Sequence, residues 1–256
     1  MTDKRVLGEQ NTLAILTYLH RFGWLTSRML SALVWPAASQ APAMARRTIK
    51  ALADQKLVIK RALPEGGDCY VLAAAGARWL QEREGITAKA GSALKLGNPV
   101  HRACSNWFLI DQIRQGNRVW TEYEIQSGRA PVVSVTGKTP DGLIDTPFGL
   151  VWLEVENAWK NRSERAKIVN FCQRNLFAGD EMAELAPDRY LFRVAIVSAT
   201  VDALRSMAHS LMAAHASGDL GDAQAGDIEL VHLAISPSLT AGIQQQYLLS
   251  DLLAAA

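Results

Sequence analysis

The first 85 residues alternate short helical patterns with one hairpin pattern. Glu9–Phe22 repeats leucine and isoleucine at helical spacing, which predicts an amphipathic helix that ends at Gly23. Ser27–Trp35 predicts a second, short helix that ends before Pro36, because proline disfavours helical geometry in the residue ahead of it. The stretch AMARRTIKALADQKLV, from Ala43 to Val58, predicts a third helix whose buried side carries isoleucine and leucine.

A strand pattern follows the third helix. LVIKRAL, a turn signal over residues 64–68 and CYVL predict a β-hairpin, and Ala74–Glu84 predicts a closing helix. Three helices, a hairpin and a helix are the order of a winged helix-turn-helix, so we predict that domain over residues 6–85. Residues 86–98 hold few large apolar side chains and several Gly and Ser, which predicts a linker.

Helix and strand patterns alternate over residues 99–256. This order predicts an α/β (α+β) domain with a mixed sheet. The C-terminal IQQQYLLSDLLAAA predicts a terminal helix. The predicted elements are helices at His101–Gln115, Ser163–Phe177 and Val201–His215, and strands at Arg118–Ile125, Gly142–Asp145, Leu150–Glu156, Tyr190–Ser198 and Ile228–Ile235.

Length and composition are those of a two-domain globular protein. The chain has 256 residues, 49% hydrophobic and 20% charged. No apolar run approaches the ~18–20 residues of a membrane helix, and the N-terminus lacks a secretory pattern. Three widely spaced cysteines predict no disulfide framework. We therefore expect a cytoplasmic protein with no membrane partner.

Charge is distributed unevenly between the two predicted domains. Residues 1–100 hold 14 Lys+Arg against 7 Asp+Glu, whereas residues 101–256 hold 13 against 18. A basic first part indicates contact with a polyanion, and the alternative is chance variation on two solvated surfaces.

The cations of the third predicted helix point to DNA. Arg46, Arg47 and Lys50 face away from its apolar side, as insertion into a groove of double-stranded DNA requires. Lys60 and Arg61 on the hairpin are placed to contact the DNA backbone or minor groove. The alternative is a winged helix that binds protein and whose basic helix face is merely solvated.

Acidic residues fall at the ends of two predicted strands. Asp141 follows Pro140 at the start of one strand, and Glu154 and Glu156 close the next. If these strands pair, Asp141 and Glu154 converge, which predicts a Mg²⁺ site because that ion prefers carboxylate oxygens. The alternative is a set of solvent-facing strand ends.

Other catalytic signatures are missing from the sequence. The five histidines have no metal-binding spacing and are predicted to be structural. No GxSxG, GxxxxGK[ST] or strand-following GxGxxG motif occurs, which argues against hydrolase, ATPase and dinucleotide chemistry.

Several phrases of the second domain resemble a known superfamily. Pro140-Asp141, then Glu154-Val155-Glu156, then a helix with Lys167, resemble the PD-(D/E)XK nucleases, whose αβββαβ core matches the predicted order over His101–Ser198. With the winged helix, the phrases TPDGLI, FGLVWLEVENAWK and RAKIVNF are similar to the replication-relaxation family and its MobC-type mobilisation proteins. That resemblance covers most of the chain and implies an accessory protein that acts with a relaxase at an origin on double-stranded DNA.

One departure from the superfamily bears on activity. The resemblance implies a lysine two residues after the second acid, where this chain has Glu156. Lys160 and Lys167 are the candidates to replace that lysine. We therefore expect a nuclease-like domain that has lost cleavage, with Asp141 and Glu154 as candidate metal ligands. The open alternatives are an active Mg²⁺-dependent endonuclease and a winged-helix transcription regulator, and the oligomeric state is left open.

Overall fold

The computed structural model describes residues 3–64, 66–157, 162–177 and 182–255. The chain forms two compact units. The first comprises Met1–Pro99 with Pro237–Thr240, and the second comprises Val100–Ser236 with Ala241–Ala256.

The first unit contains helices and a small antiparallel sheet. Strand β3 lies between β1 and β2. The Thr26 hydroxyl accepts a hydrogen bond from the Met29 N–H and so caps the second helix. In chain order the elements are α1 (Lys4–Phe22), β1 (Trp24–Leu25), α2 (Ser27–Val34), α3 (Ala41–Asp54), β2 (Val58–Ala62), β3 (Asp68–Leu72) and α4 (Ala74–Glu84).

Apolar spacing fixes how α3 lies in the first unit. Ala41, Ala45, Ile49 and Leu52 are its buried residues, at intervals of four, four and three. Residues at those intervals share one face of an α-helix, so the opposite face of α3 is left to solvent.

The predicted linker lies against the first unit. The Gly91 N–H donates to the Leu72 carbonyl at 2.8 Å, and the Trp24 indole N–H donates to the Leu96 carbonyl at 3.3 Å. The Arg61 guanidinium donates to the Leu94 carbonyl. Three contacts of this kind attach the segment 91–96 to strands β1, β2 and β3.

The second unit is built on a mixed sheet with the strand order β10-β9-β8-β6-β5-β4. Strands β4, β5 and β6 are antiparallel neighbours, β8 runs parallel to β6 and β9, and β7 pairs with β8 outside this path. The fold is therefore mixed α+β. The elements are α5 (Pro99–Arg114), β4 (Arg118–Thr121), α6 (Glu122–Gln126), β5 (Gly142–Thr146), β6 (Gly149–Val155), α7 (Arg162–Asn175), β7 (Glu184–Ala186), β8 (Arg189–Ser198), α8 (Val201–Ala216), α9 (Asp222–Gly226), β9 (Ile228–Ile235), β10 (Ala241–Leu248) and α10 (Leu249–Ala254).

Helices cover both faces of this sheet. On one face the Trp152 ring lies 4.5 Å from the Phe171 ring of α7, within a buried cluster that includes Met207 and Leu211 of α8. On the other face Leu109 of α5 closes on Gly142, where a Cβ would lie 3.0 Å from the leucine side chain. Alternation along β5 and β6 sends their side chains into both layers.

Two predicted elements differ from the structure. The strand predicted over Arg118–Ile125 ends at Thr121, because Thr121 and Glu124 form a capping box that begins α6. Much of the predicted C-terminal helix is instead the strand Ala241–Leu248, which pairs with β9, and only Leu249–Ala254 is helical. Pairing with a neighbouring strand is a tertiary effect that local pattern does not contain.

A membrane-spanning helix is not found in the described part of the chain, where no helix is both long and apolar enough.

Candidate functional site

The exposed side of α3 carries three cations. Arg46, Arg47 and Lys50 are all exposed, and we call this set the α3 basic face. Lys50 lies 3.5 Å from Asp54 on the same helix, an exposed i,i+4 pair. Within the described residues, Arg46 and Arg47 form no ion pair. Since an exposed pair contributes little, all three cations are available to a polyanion.

The two hairpin cations differ in their surroundings. Lys60 is exposed, and its ammonium lies 2.8 Å from the Asp68 carboxylate across the β2–β3 hairpin. That hydrogen bond and the charge of Asp68 raise the pKa of Lys60. Arg61 is half-buried and donates to the Leu94 carbonyl. Lys60 is therefore presented to solvent, whereas Arg61 holds the segment that follows α4.

The second candidate site begins at the β5–β6 hairpin. Asp141 directly precedes β5, and its backbone N–H donates to the Leu153 carbonyl at 2.9 Å. Its side-chain Oδ2 accepts a hydrogen bond from the Val155 N–H at 2.8 Å. The pairing of β5 with β6 thus brings Asp141 to the end of β6, beside Glu154 and Glu156. We call these three residues the acidic cluster.

Helix α5 supplies a histidine to Asp141. His101 Nε2 lies 3.1 Å from Asp141 Oδ1, and the Ser105 hydroxyl donates to the Asp141 carbonyl at 2.9 Å. Burial lowers the pKa of His101. The hydrogen bond and charge of Asp141, together with the charges of Glu122 and Glu156, raise it by more than burial lowers it, so the net shift of the pKa is upward. His101 is therefore more readily protonated than an ordinary histidine.

Glu154 is almost completely buried, with 4% of its surface exposed. Its Oε2 accepts from the Lys138 ammonium at 2.8 Å, and its Oε1 accepts from the Trp152 indole N–H at 2.5 Å. Burial raises the pKa of Glu154 to about 7, and the charge of Asp141 raises it too, while Lys138 acts in the opposite direction. A cation and an indole N–H stabilise this carboxylate inside the unit.

Glu156 is not a solvent-facing strand end. Only 2% of its surface is exposed. Its backbone N–H donates to the Val197 carbonyl at 2.8 Å, and its carbonyl accepts from the Ser198 hydroxyl at 2.5 Å. Since its charge is among those that raise the pKa of His101, Glu156 belongs to the same cluster.

The lysine that contacts the acidic cluster is Lys138, and the sequence had indicated Lys160 and Lys167. Lys160 lies outside the described residues. Lys167 is exposed and lines a cavity of about 260 Å³ together with Lys138, Asn170 and Arg174. Within the described part of the chain, Lys138 is the lysine bonded to Glu154.

Lys138 and His101 contact the acidic cluster but were not predicted from the sequence. Lys138 lies three residues before Asp141 in the phrase KTPD, and a β-bridge between Val135 and Lys138 holds its backbone. The superfamily pattern directs attention to positions after Glu154, whereas this lysine comes before Asp141. His101 gave no local signal, because α5 meets Asp141 only through the tertiary fold.

Protein groups hydrogen-bond the carboxylates of the acidic cluster. All four oxygens of Asp141 and Glu154 accept hydrogen bonds, from His101, Val155, Lys138 and Trp152. Over the residues the structure describes, no three His, Cys, Asp or Glu side chains are grouped to hold a metal ion. This arrangement fits Mg²⁺ poorly, because the cation would compete with the Lys138 ammonium and the other donors for these oxygens.

The chain matches no protein-family model and no curated protein. The α3 basic face and the acidic cluster are therefore the features from which a function can be inferred.

Proposed function

We propose that this chain is a DNA-binding accessory protein of a mobile element, of the replication-relaxation or MobC-like mobilisation type. It acts in the cytoplasm with a relaxase at an origin of transfer or replication. The observation that carries the proposal is the α3 basic face, whose three exposed cations lie opposite a buried apolar face.

The element order of the first unit supports a winged helix-turn-helix. Helices α1, α2 and α3 precede the β2–β3 hairpin, and we propose α3 as the recognition helix. Ile49 and Leu52 bury one side of α3 and so hold Arg46, Arg47 and Lys50 on the other. Long cationic side chains there reach phosphate oxygens and guanine edges in the major groove. Lys60 on the hairpin adds a phosphate contact beside the groove.

The second unit supports the nuclease-like part of the proposal. The order α5, β4, α6, β5, β6, α7, β7, β8 resembles the αβββαβ order that the superfamily implies, with α6 and β7 as additions. Asp141 and Glu154 stand at the positions of the two acids, and the buried Glu156 replaces the lysine. Because protein donors already bond all four oxygens of Asp141 and Glu154, we propose that this unit supports DNA binding without cleaving DNA.

A charge-reversal experiment tests DNA binding. The variant Arg46→Glu/Arg47→Glu is compared with wild type in filter binding to duplex DNA. Its matched control is Arg114→Glu/Arg205→Glu, which reverses two exposed cations of the second unit. We expect at least about tenfold weaker binding for the first variant and little change for the control, since phosphate contacts dominate affinity. Equal binding by all three proteins would exclude the proposal.

The second candidate function is a Mg²⁺-dependent endonuclease, in which Lys138 takes the role of the superfamily's lysine instead of opposing metal binding at Glu154. Lys138 presents an ammonium 2.8 Å from Glu154, so the cluster contains a lysine despite Glu156. Incubation of purified protein with supercoiled plasmid and Mg²⁺ or Mn²⁺ separates the two candidates. Nicking that disappears in Asp141→Ala establishes the endonuclease, whereas intact plasmid beside normal DNA binding supports the accessory protein.

A further inference from the structure

A second cavity opens at the far end of the β5–β6 hairpin from the acidic cluster. It has a volume of about 320 Å³, at the lower end of the range of ligand pockets. Helix α5, the β5–β6 turn and strands β8, β9 and β10 line it. Its lining includes two aromatic and two charged side chains, Phe148, Phe192, Arg193 and Glu229. We call this cavity the Phe148 pocket.

Arg193 brings a cation to this pocket, near the carboxyl groups of Asp227 and Glu229. Its Nε is buried and has no partner, and in the described part of the chain its guanidinium forms no ion pair. The guanidinium carbon lies 4.9 Å from the centroid of the Phe192 ring. Because the Nε has almost no exposed surface, a ligand in the pocket can meet only the terminal guanidinium nitrogens of Arg193. A partly desolvated cation lining a cavity favours a ligand that supplies hydrogen-bond acceptors to those nitrogens.

Glu229 brings a carboxylate to the same pocket. It pairs with Ala195 across β8 and β9, so it lies on the same face of the sheet as Arg193. Only 6% of its surface is exposed, and it accepts a hydrogen bond from the Gln246 amide. Arg193 and Glu229 thus place a donor and an acceptor on neighbouring strands.

An exposed aromatic ring stands at the mouth of the pocket. Phe148 is 71% exposed, and its ring centroid lies 5.5 Å from that of Phe192. The turn is held against β8 by Gly149, where a Cβ would lie 2.8 Å from the Tyr190 carbonyl oxygen. An aromatic side chain fixed in this way offers a face on which a planar ring can stack.

We propose that the Phe148 pocket binds a guanine base. The Arg193 guanidinium donates to the guanine O6 and N7, the Glu229 carboxylate accepts from the N1–H and the amino group, and Phe148 stacks on the ring. Adenine presents an amino donor where guanine has O6, so Arg193 discriminates against it. The base comes from a free nucleotide or from an unstacked guanine in single-stranded DNA. This inference does not depend on DNA binding by the α3 basic face.

Calorimetric titration of the full chain with GMP and with AMP tests this pocket. We expect saturable GMP binding and at least tenfold weaker AMP binding. Glu229→Gln and Phe148→Ala each weaken GMP binding at least tenfold, whereas Tyr247→Ala, which removes an exposed aromatic on β10, leaves it unchanged. Because Phe148 is exposed, its substitution tests the pocket even if the buried Glu229→Gln variant does not fold.

A single-stranded hexanucleotide with one guanine, against the same strand with adenine in that place, distinguishes the sources. Binding of GMP alone assigns the pocket to a free nucleotide, and preference for the guanine strand assigns it to DNA. No saturable binding of either probe, or equal binding of guanine and adenine probes, overturns the proposal. The Arg46→Glu/Arg47→Glu variant should keep GMP binding, so failure here and failure of the proposed function are separable.

Discussion

At the scale of single residues, the acidic cluster shows how a buried carboxylate is kept in the fold. Glu154 is removed from water, and Lys138 and Trp152 each donate to one of its oxygens. The sequence predicted the convergence of Asp141 with Glu154, because both lie at the ends of neighbouring strand patterns. It did not predict Lys138 or His101, since these contacts come from a loop and a helix whose positions depend on the whole unit.

Removal of Lys138 should destabilise the second unit. In Lys138→Met the Glu154 carboxylate loses its cation, and breaking such a buried pair costs about 3 kcal/mol of unfolding free energy. The cost should be larger at pH 8 than at pH 5, because protonation relieves the unpaired charge. Urea denaturation at both pH values measures it. Lys138→Met/Glu154→Gln is the control and should recover much of the loss, whereas equal losses at both pH values would contradict the assignment.

The stability of the protein should fall as pH rises from about 4.5 to about 7. Burial raises the pKa of folded Glu154 from 4.5 to about 7, so the folded state binds a proton that the unfolded state has released. The contribution of this proton to the free energy of unfolding is fully present below the pKa of Glu154 in the unfolded state. It is lost as pH rises to the pKa of Glu154 in the folded state, a total of about 3 kcal/mol. His101, whose pKa is also raised, acts with the same sign. Urea denaturation across this pH range should show a flatter profile for Glu154→Gln, and an unchanged profile would rule out the buried carboxylate.

At the scale of elements, local pattern predicted most helices and strands, and tertiary contacts decided the others. Patterns such as LVWLEVE predicted β6 because apolar and β-branched residues run through it. The polar stretch around Gln244–Gln246 has no strand pattern in the sequence, and it forms part of strand β10 because it pairs with β9. Glu122–Gln126 became helical because one threonine and one glutamate satisfy its first N–H groups.

The β5–β6 turn depends on a glycine. Gly149 has φ +136°, and a Cβ there would lie 2.8 Å from the Tyr190 carbonyl oxygen, so Gly149→Ala adds a backbone clash to conformational strain. Gly218→Ala is the matched control, since its φ is +81° and nothing lies within 4 Å. In thermal denaturation we expect the free energy of unfolding to fall by about 3 kcal/mol in Gly149→Ala and by about 1 kcal/mol in Gly218→Ala. A control variant as unstable as Gly149→Ala would contradict the close approach of the turn to β8.

At the scale of the whole molecule, charge is divided between the two units. The basic part of the chain holds the α3 basic face, and the acidic part holds the acidic cluster and the Phe148 pocket. The sequence predicted this division from its counts of charged residues, and each unit has its own compact core. The proposed duplex-binding residues therefore lie in the first unit, and the acidic cluster and the Phe148 pocket lie in the second.

The salt dependence of duplex DNA binding tests this account most directly. Fluorescence anisotropy of a labelled duplex gives the slope of log affinity against log salt, and each lost phosphate contact reduces its magnitude by about 0.9. Arg46→Ala/Arg47→Ala should therefore reduce the slope by about 2 relative to wild type, whereas Arg114→Ala/Arg205→Ala should leave it unchanged. An unchanged slope for the α3 variant, or the same reduction in the control, would contradict recognition of DNA by α3.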